Sequence, residues 1–346
     1  MDKDMNIDMN INMETETETD TDTETETETE MNKTMVEEKY NLLINELKKV
    51  IVGQEQFLDF MAVALFTGGH ILVEGVPGIG KTLAARTLAK TLNAEFSRIQ
   101  FTPDLMPSDV TGTKVFDVKN SSFYLKKGPA FTNILLADEI NRATPKTQSA
   151  LLECMEEGSV TIDGETHHLP KPFMVMATMN PLEFEGTYPL PEAQLDRFLM
   201  KLVITHLPPE QEEALLVKVN QNDGALRPEI VSPIVTIEEW NSIRNEINKV
   251  TVNENIIRYI TAIIYTTRNS PAVLLGASSR ASIALMQCSK TMAAFSGRDF
   301  VIPEDVVELV NPVLRHRLII KPEAQLDNVS VDDILTGIVK KVAIPR

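Results

Sequence analysis

The stretch HILVEGVPGIGKTLAARTLAKTL, residues 70–92, decides the reading of this chain. His70–Glu74 is a short apolar run with strand character, and Lys81–Leu92 carries apolar residues at helical spacing. Between them Gly75–Thr82 matches the pattern G-x-x-x-x-G-K-[S/T]. A glycine-rich turn between a strand and a helix is what a phosphate-binding loop requires. Gly75, Val76, Pro77, Gly78, Ile79 and Gly80 present backbone N–H groups, and the start of the helix, with Leu83 in its first turn, adds its dipole. Lys81 supplies a cation for the β and γ phosphates, and the Thr82 hydroxyl can hold Mg²⁺.

The same strand-and-helix rhythm runs outward from this loop. Phe96–Gln100, Asn133–Asp138, Phe173–Met179 and Phe198–Ile204 read as strands, with helices at Lys146–Glu157 and Glu192–Arg197. Such alternation predicts an α/β core with a mostly parallel sheet. Upstream, residues 37–50 and the stretch from Ile51 to Gly69 read as two helices. Thr111–Lys127 and Ser159–Lys171 break the rhythm as two β-hairpins, the second turning at Asp163-Gly164. Beyond residue 208 the strand signal fades and helical patterns follow at 209–220, 236–248, 253–269, 279–296, 303–317 and 331–342. The expected organisation is a tail at 1–36, an α/β nucleotide-binding core at 37–207 and an all-helical lid at 208–346.

Two further strands end in chemistry. ILLADE closes on Asp138, placed to hold Mg²⁺, and Glu139, placed to orient and deprotonate a water. VMATMNP ends at Asn180. If the strands ending at Glu74, Asp138 and Asn180 lie side by side, their carboxyl ends converge on one crevice, where open parallel sheets bind ligands. Asn180 then faces the γ-phosphate; taken alone, it is a turn residue before Pro181.

Composition bounds the rest. The chain has 346 residues, 43% of them hydrophobic, and a net charge of −17. Residues 1–36 hold twelve acids against Lys3 and Lys33, leaving −7 for the remaining 310 residues. That tail, with Thr alternating with Glu or Asp from Glu14 to Glu30, has too little apolar bulk to offset the entropy of ordering and reads as a solvated extension. The mild acidity of the rest gives no basic nucleic-acid footprint. No secretory signal and no membrane-spanning run stand out. Cys154 and Cys288 fit no metal spacing and read as reduced core residues of a cytoplasmic protein.

Other conspicuous residues have two readings each. Phe116, Phe123 and Tyr124 on the first hairpin either pack or grip a substrate. His167-His168 has no third ligand nearby and reads as a hairpin edge. Asn141-Arg142 serves either the local loop or a neighbouring subunit.

Taken together, the chain resembles the AAA+ ATPases and, within them, the MoxR family. The resemblance rests on VIVGQEQ, ILVEGVPGIGKT, RIQFTPDLMPSDVTGT, ILLADEINRATPKTQSALLECMEEGSVTIDG, MATMNPLEFEGTYPLPEAQLDRF and GASSRA, in that order, and GRDFVIPEDV with VLRHRL extends it to residue 318. It implies that Val52, Gly53 and Gln54 line the adenine pocket and that Gly75–Thr82 is Walker A. It makes Asp138 and Glu139 Walker B, Asn180 sensor 1, Arg197 an arginine finger and Arg280 the sensor 2 residue of the lid. The hairpins correspond to the helix-2 and pre-sensor-1 inserts. Ser279 stands where MoxR proteins more often have Pro; serine also starts helices well. The implied function is MgATP hydrolysis by a homo-oligomeric ring of six subunits. Lys81, Arg280 and a neighbour's Arg197 would neutralise charge. The implied role is chaperone-like maturation of protein complexes, with von Willebrand A domain proteins among the clients. The rival readings are a metal-chelatase motor subunit, a nucleic-acid-stimulated motor and a nucleotide-sensing scaffold.

Overall fold

The structure is a computed structural model and describes residues 35–181, 186–222 and 224–345. The reading of the acidic tail therefore lies outside the described residues. The described residues open with two helices, α1 (35–50) and α2 (Glu55–Thr67). The next elements are β1 (Ile71–Glu74), α3 (Lys81–Thr91), β2 (Phe96–Gln100) and α4 (Pro107–Thr111). A hairpin, β3 (Gly112–Asp117) and β4 (Ser122–Lys127), precedes β5 (Ile134–Asp138) and α5 (Pro145–Glu157). A second hairpin, β6 (Ser159–Ile162) and β7 (Glu165–His168), leads into β8 (Met174–Met179), α6 (Glu192–Leu195) and β9 (Met200–Val203).

The remainder is helical: α7 (Pro209–Gln221), α8 (Ile237–Lys249), α9 (Glu254–Asn269), α10 (Ser279–Phe295), α11 (Pro303–Leu314), α12 (Pro322–Leu326) and α13 (Val331–Lys341). It also contains one small antiparallel ribbon, β10 (Val273–Leu275) against β11 (Ile319–Ile320). Caps set several of these boundaries. Thr236 and Ser330 accept hydrogen bonds from the N–H groups of Glu239 and Asp333 at the starts of α8 and α13. Pro145 and Pro303 occupy the first turns of α5 and α11, where no N–H is needed.

Five strands pair in the order β2-β5-β8-β1-β9, all parallel. The strands carrying Asp138, Asn180 and the phosphate loop are therefore neighbours, and their carboxyl ends share one edge. Alternation along each strand splits the core. Ile71, Val73, Leu136, Met176 and Leu202 face a cluster shared with α1, α2 and the C-terminal helices. Leu72, Leu135, Ala137 and Val175 face a second cluster with Leu151, Leu152 and Phe198. The amino-terminal helix is tied to the C-terminal helices: the Tyr40 ring stacks on Phe295 at 4.2 Å, and Lys39 pairs with Glu239 at 2.7 Å. Among the described residues, no helix is long and apolar enough to cross a membrane.

Candidate nucleotide site and arginine cluster

The loop Gly75–Gly80 leaves β1 and turns into α3. Gly78 and Gly80 adopt φ of +85° and +90°, and a Cβ at either would meet nothing within 4 Å, so the left-handed backbone and not crowding demands glycine. Beside the loop lies a cavity of about 270 Å³ whose walls include Val52, Gln54, Ile79, Leu83, His206 and Leu207. Gln54 Nε2 donates to the Ile79 carbonyl at 3.3 Å, joining the upstream segment to the loop. Lys81 Nζ folds back onto the Gly75 carbonyl at 2.5 Å. Burial pulls its pKa down, and Asp138 and Glu139 work against that shift. An anion bound in the loop would complete the same neutralisation.

The carboxyl end of β5 supplies the acids, and the end of β8 supplies Thr178 and Asn180 beside them. Asp138 Oδ1 accepts from Thr178 Oγ1 at 2.5 Å, and Oδ2 accepts from Arg98 at 2.8 Å. Glu139 stands at φ +54°, a conformation that costs a non-glycine residue about 1–2 kcal/mol. Its N–H donates to Thr178 Oγ1 at 2.9 Å, and its carbonyl accepts from Arg142 N–H at 2.9 Å, which holds that turn. The Glu139 carboxylate accepts from Gln100 Nε2 at 2.6 Å and Arg142 at 2.9 Å. Asn180 is buried at the end of β8. Asp138 and Thr82 fit magnesium, which takes one or two carboxylates and fills its shell with phosphate and water. Asp138 Oδ2 already meets one positive charge, the Arg98 guanidinium, at 2.8 Å.

At the opposite end of the sheet is a group of arginines. β9 runs parallel to β1 with Met200 opposite Ile71, so Arg197 sits at the amino end of the sheet and the phosphate loop at the carboxyl end. Arg197 Nη1 donates to the Leu152 carbonyl at 2.9 Å, and Nη2 pairs with Glu156 at 2.8 Å. Asp196 turns away from its neighbour and pairs with Arg317 at 2.8 Å. Arg280, at the start of α10, lies 3.5 Å from Glu156 and 3.8 Å from Asp196. The Phe198 carbonyl accepts from both His316 and Arg317 at 2.9 Å. His316 and Arg317 are buried, and burial holds the imidazole pKa well below its ordinary value.

Residues 70–200 match the family described as "ATPase family associated with various cellular activities (AAA)", and residues 265–338 match the AAA lid domain. Chaperone MoxR1 of Mycobacterium tuberculosis is 41% identical over 312 residues, covering 88% of this chain and 81% of the relative. The chain belongs to the MoxR family of AAA+ ATPases. YeaC of Bacillus subtilis is 45% identical over 302 residues, covering 87% of this chain and 93% of the relative. The crystal structure of a Cytophaga hutchinsonii protein superposes with a TM-score of 0.85 at 45% identity, over 92% of this chain and 98% of that one.

In this MoxR-family chain the structure gathers Val52, Gly53, Gln54, the loop Gly75–Gly80, Lys81, Thr82 and Leu83 on one side, with Asp138, Glu139 and Asn180 on the adjoining strand ends. Arg280, expected as the sensor 2 residue of the lid, lies beside Arg197 and Glu156, because α10 packs against α2 and the amino end of the sheet. Arg142 pairs with Glu139 and Asn141 is buried, which favours the local-loop reading. Phe116 and Phe123 meet each other at 5.1 Å but are 49% and 69% exposed, so they are outside the core. His167 stands 3.9 Å from Glu165, and among the described residues no cluster suited to a metal includes it.

Sequence reasoning missed Thr178, Arg98 and Gln100, and the wall formed by His206, Leu207 and Leu226. The β2–β5 register, Gln100 opposite Asp138, brings Arg98 and Gln100 to the acids. The wall follows from β9 lying next to β1, which passes the following segment over the loop.

Proposed function

We propose that the protein hydrolyses MgATP in a ring of six copies, each nucleotide lying between subunits. The observation that carries this is the polarity of the sheet. Phosphate loop and acids occupy its carboxyl end, Arg197 and Arg280 its amino end. The four residues of β1 alone span about 13 Å at about 3.3 Å per residue. With that separation, both arginines are assigned to the next copy's phosphates. Lys81 and the loop amides hold the β and γ phosphates. Thr82 and Asp138 would hold Mg²⁺, which neutralises phosphate charge when bound. Glu139, released from Gln100 and Arg142, takes a proton from water as it attacks the γ-phosphorus, and Asn180 orients that water. The neighbour's arginines stabilise charge on the departing β-phosphate.

The 41% identity with a protein named as a chaperone supports a client-remodelling role. We infer that the clients are cytoplasmic proteins, among them von Willebrand A domain proteins. The test is a phosphate-release assay on wild type and Glu139→Gln. The variant keeps Asp138 and the loop, so it should bind ATP, retain it and capture clients. Turnover equal to wild type would remove Glu139 as the base and with it this mechanism.

A further inference from the structure

Two guanidiniums on the same side of the molecule repel one another. At the amino end of the sheet, Arg197 and Arg280 share a single carboxylate, Glu156: Oε2 takes Arg197 Nη2 at 2.8 Å and Oε1 faces Arg280 Nη2 at 3.5 Å. The two arginines come from distant parts of the chain, one preceding β9 and one opening α10. Their side chains are 31% and 54% exposed, so they remain within reach of a neighbouring molecule. We propose that Glu156 is the positioning residue of both arginines, holding them as one unit for the neighbouring subunit's nucleotide. The proposal rests on the intersubunit reading above.

The geometry supports this in three ways. Leu152 and Glu156, one helical turn apart on α5, hold Arg197 by two separate nitrogens, so the guanidinium plane is defined and not merely tethered. Asp196 pairs through Oδ1 with buried Arg317 at 2.8 Å and faces Arg280 with Oδ2 at 3.8 Å, whereas Glu156 lies against both exposed arginines, at 2.8 and 3.5 Å. The ion pairs of the cluster thus join Arg197, Arg280 and Arg317 to Glu156 and Asp196. The clamp is also mounted firmly. At the other end of α5, Gln148 Nε2 donates to the Ile140 and Tyr188 carbonyls at 3.2 and 3.0 Å, joining the helix to the turn that carries Glu139.

The test is steady-state ATPase kinetics and nucleotide binding on Glu156→Ala and Glu156→Gln, with melting temperatures recorded. Misplacing a catalytic group by about an ångström costs up to about 10²-fold, so Glu156→Ala should lose about 10- to 100-fold in kcat. Its own phosphate loop is untouched, so KM and ATP binding should be unchanged. Glu156→Gln keeps the shape and one acceptor oxygen and should fall between the two. Mixing Glu156→Ala with Lys81→Ala should restore turnover where an intact loop meets an intact clamp. A control mixture of Arg197→Ala with Lys81→Ala separates the two ideas. If the control complements but both Glu156 variants turn over like wild type, the clamp is wrong and the ring mechanism stands. If the co-assembled control gains nothing, the ring mechanism itself fails. Should Glu156→Ala melt early, Glu156→Gln decides alone, and a wild-type kcat overturns the proposal.

Discussion

Thr178 Oγ1 donates to Asp138 Oδ1 and accepts the Glu139 N–H, so a single hydroxyl, fully buried on β8, orients both acids of the neighbouring strand. The Asp138 carboxylate and the Glu139 backbone could not turn without losing a buried bond. Thr178→Val keeps the branched shape and deletes the hydroxyl, leaving one donor and one acceptor unsatisfied. The expected cost is about 1–3 kcal/mol by denaturant unfolding. Because Glu139 is held in a left-handed conformation partly by that bond, kcat should fall as well. Wild-type kcat together with wild-type stability would show that the acids need no such support. Residues such as Lys81, Asp138 and Glu139 are legible in sequence because a motif or a strand end announces them. Thr178 is not, since its role exists only across the β5–β8 pairing.

Elements meet at His70, where β1, β8 and α5 are joined. Val175 N–H donates to His70 Nδ1 at 3.0 Å, so the proton sits on Nε2 and is donated to the Met155 carbonyl at 3.0 Å. Protonating Nδ1 would set one N–H against another in a fully buried position. Burial accordingly lowers the pKa to about 4 from an ordinary value of 6.5. Above pH 6.5 the ring is neutral in both folded and unfolded chains. As the pH falls from about 6.5 to about 4, the unfolded chain binds a proton that the folded one refuses, so stability is lost across that window. The loss from this group amounts to about 3 kcal/mol. His70→Gln should remove that part of the slope, read as unfolding free energy against pH for both proteins. Parallel slopes would show that His70 does not titrate in this way. The second hairpin, by contrast, was legible from Asp163-Gly164, both of which adopt positive φ as a tight two-residue turn demands. The β10–β11 ribbon was not legible: strands of three and two residues carry no periodicity and pair only because α9 and α11 bring them together.

At the scale of the whole molecule, the phosphate loop and acids lie at one end of the sheet and the arginines at the other, which makes the proposed ring testable by mixing. Lys81→Ala lacks the loop's cation but presents intact arginines, and Arg197→Ala the reverse. Each alone should be nearly inactive, since such an arginine is worth on the order of 10³–10⁵ in turnover. Together, co-assembled, they should regain part of the activity. Arg280→Ala should behave as Arg197→Ala does in the same mixture, because both lie against Glu156. Complementation by Arg197→Ala but not by Arg280→Ala would separate their roles.

The sequence by itself determined the phosphate loop, the acids at the end of β5, the parallel α/β alternation and both hairpins. Each of these is written in a local pattern whose period or turn chemistry admits few alternatives. Only the tertiary structure decided which strand ends lie together and which residues face one another. It alone brought Thr178, Arg98 and Gln100 to the acids and His206 to the cavity. It alone set Arg280, expected on the lid, beside Arg197 and Glu156. The reason is that a helix's destination depends on the shared core that its apolar face completes. The face of α10, through Ala281, Leu285 and Cys288, is buried in the same cluster as α2 and one face of the sheet. That packing, and not the motif around Arg280, sets where the guanidinium emerges.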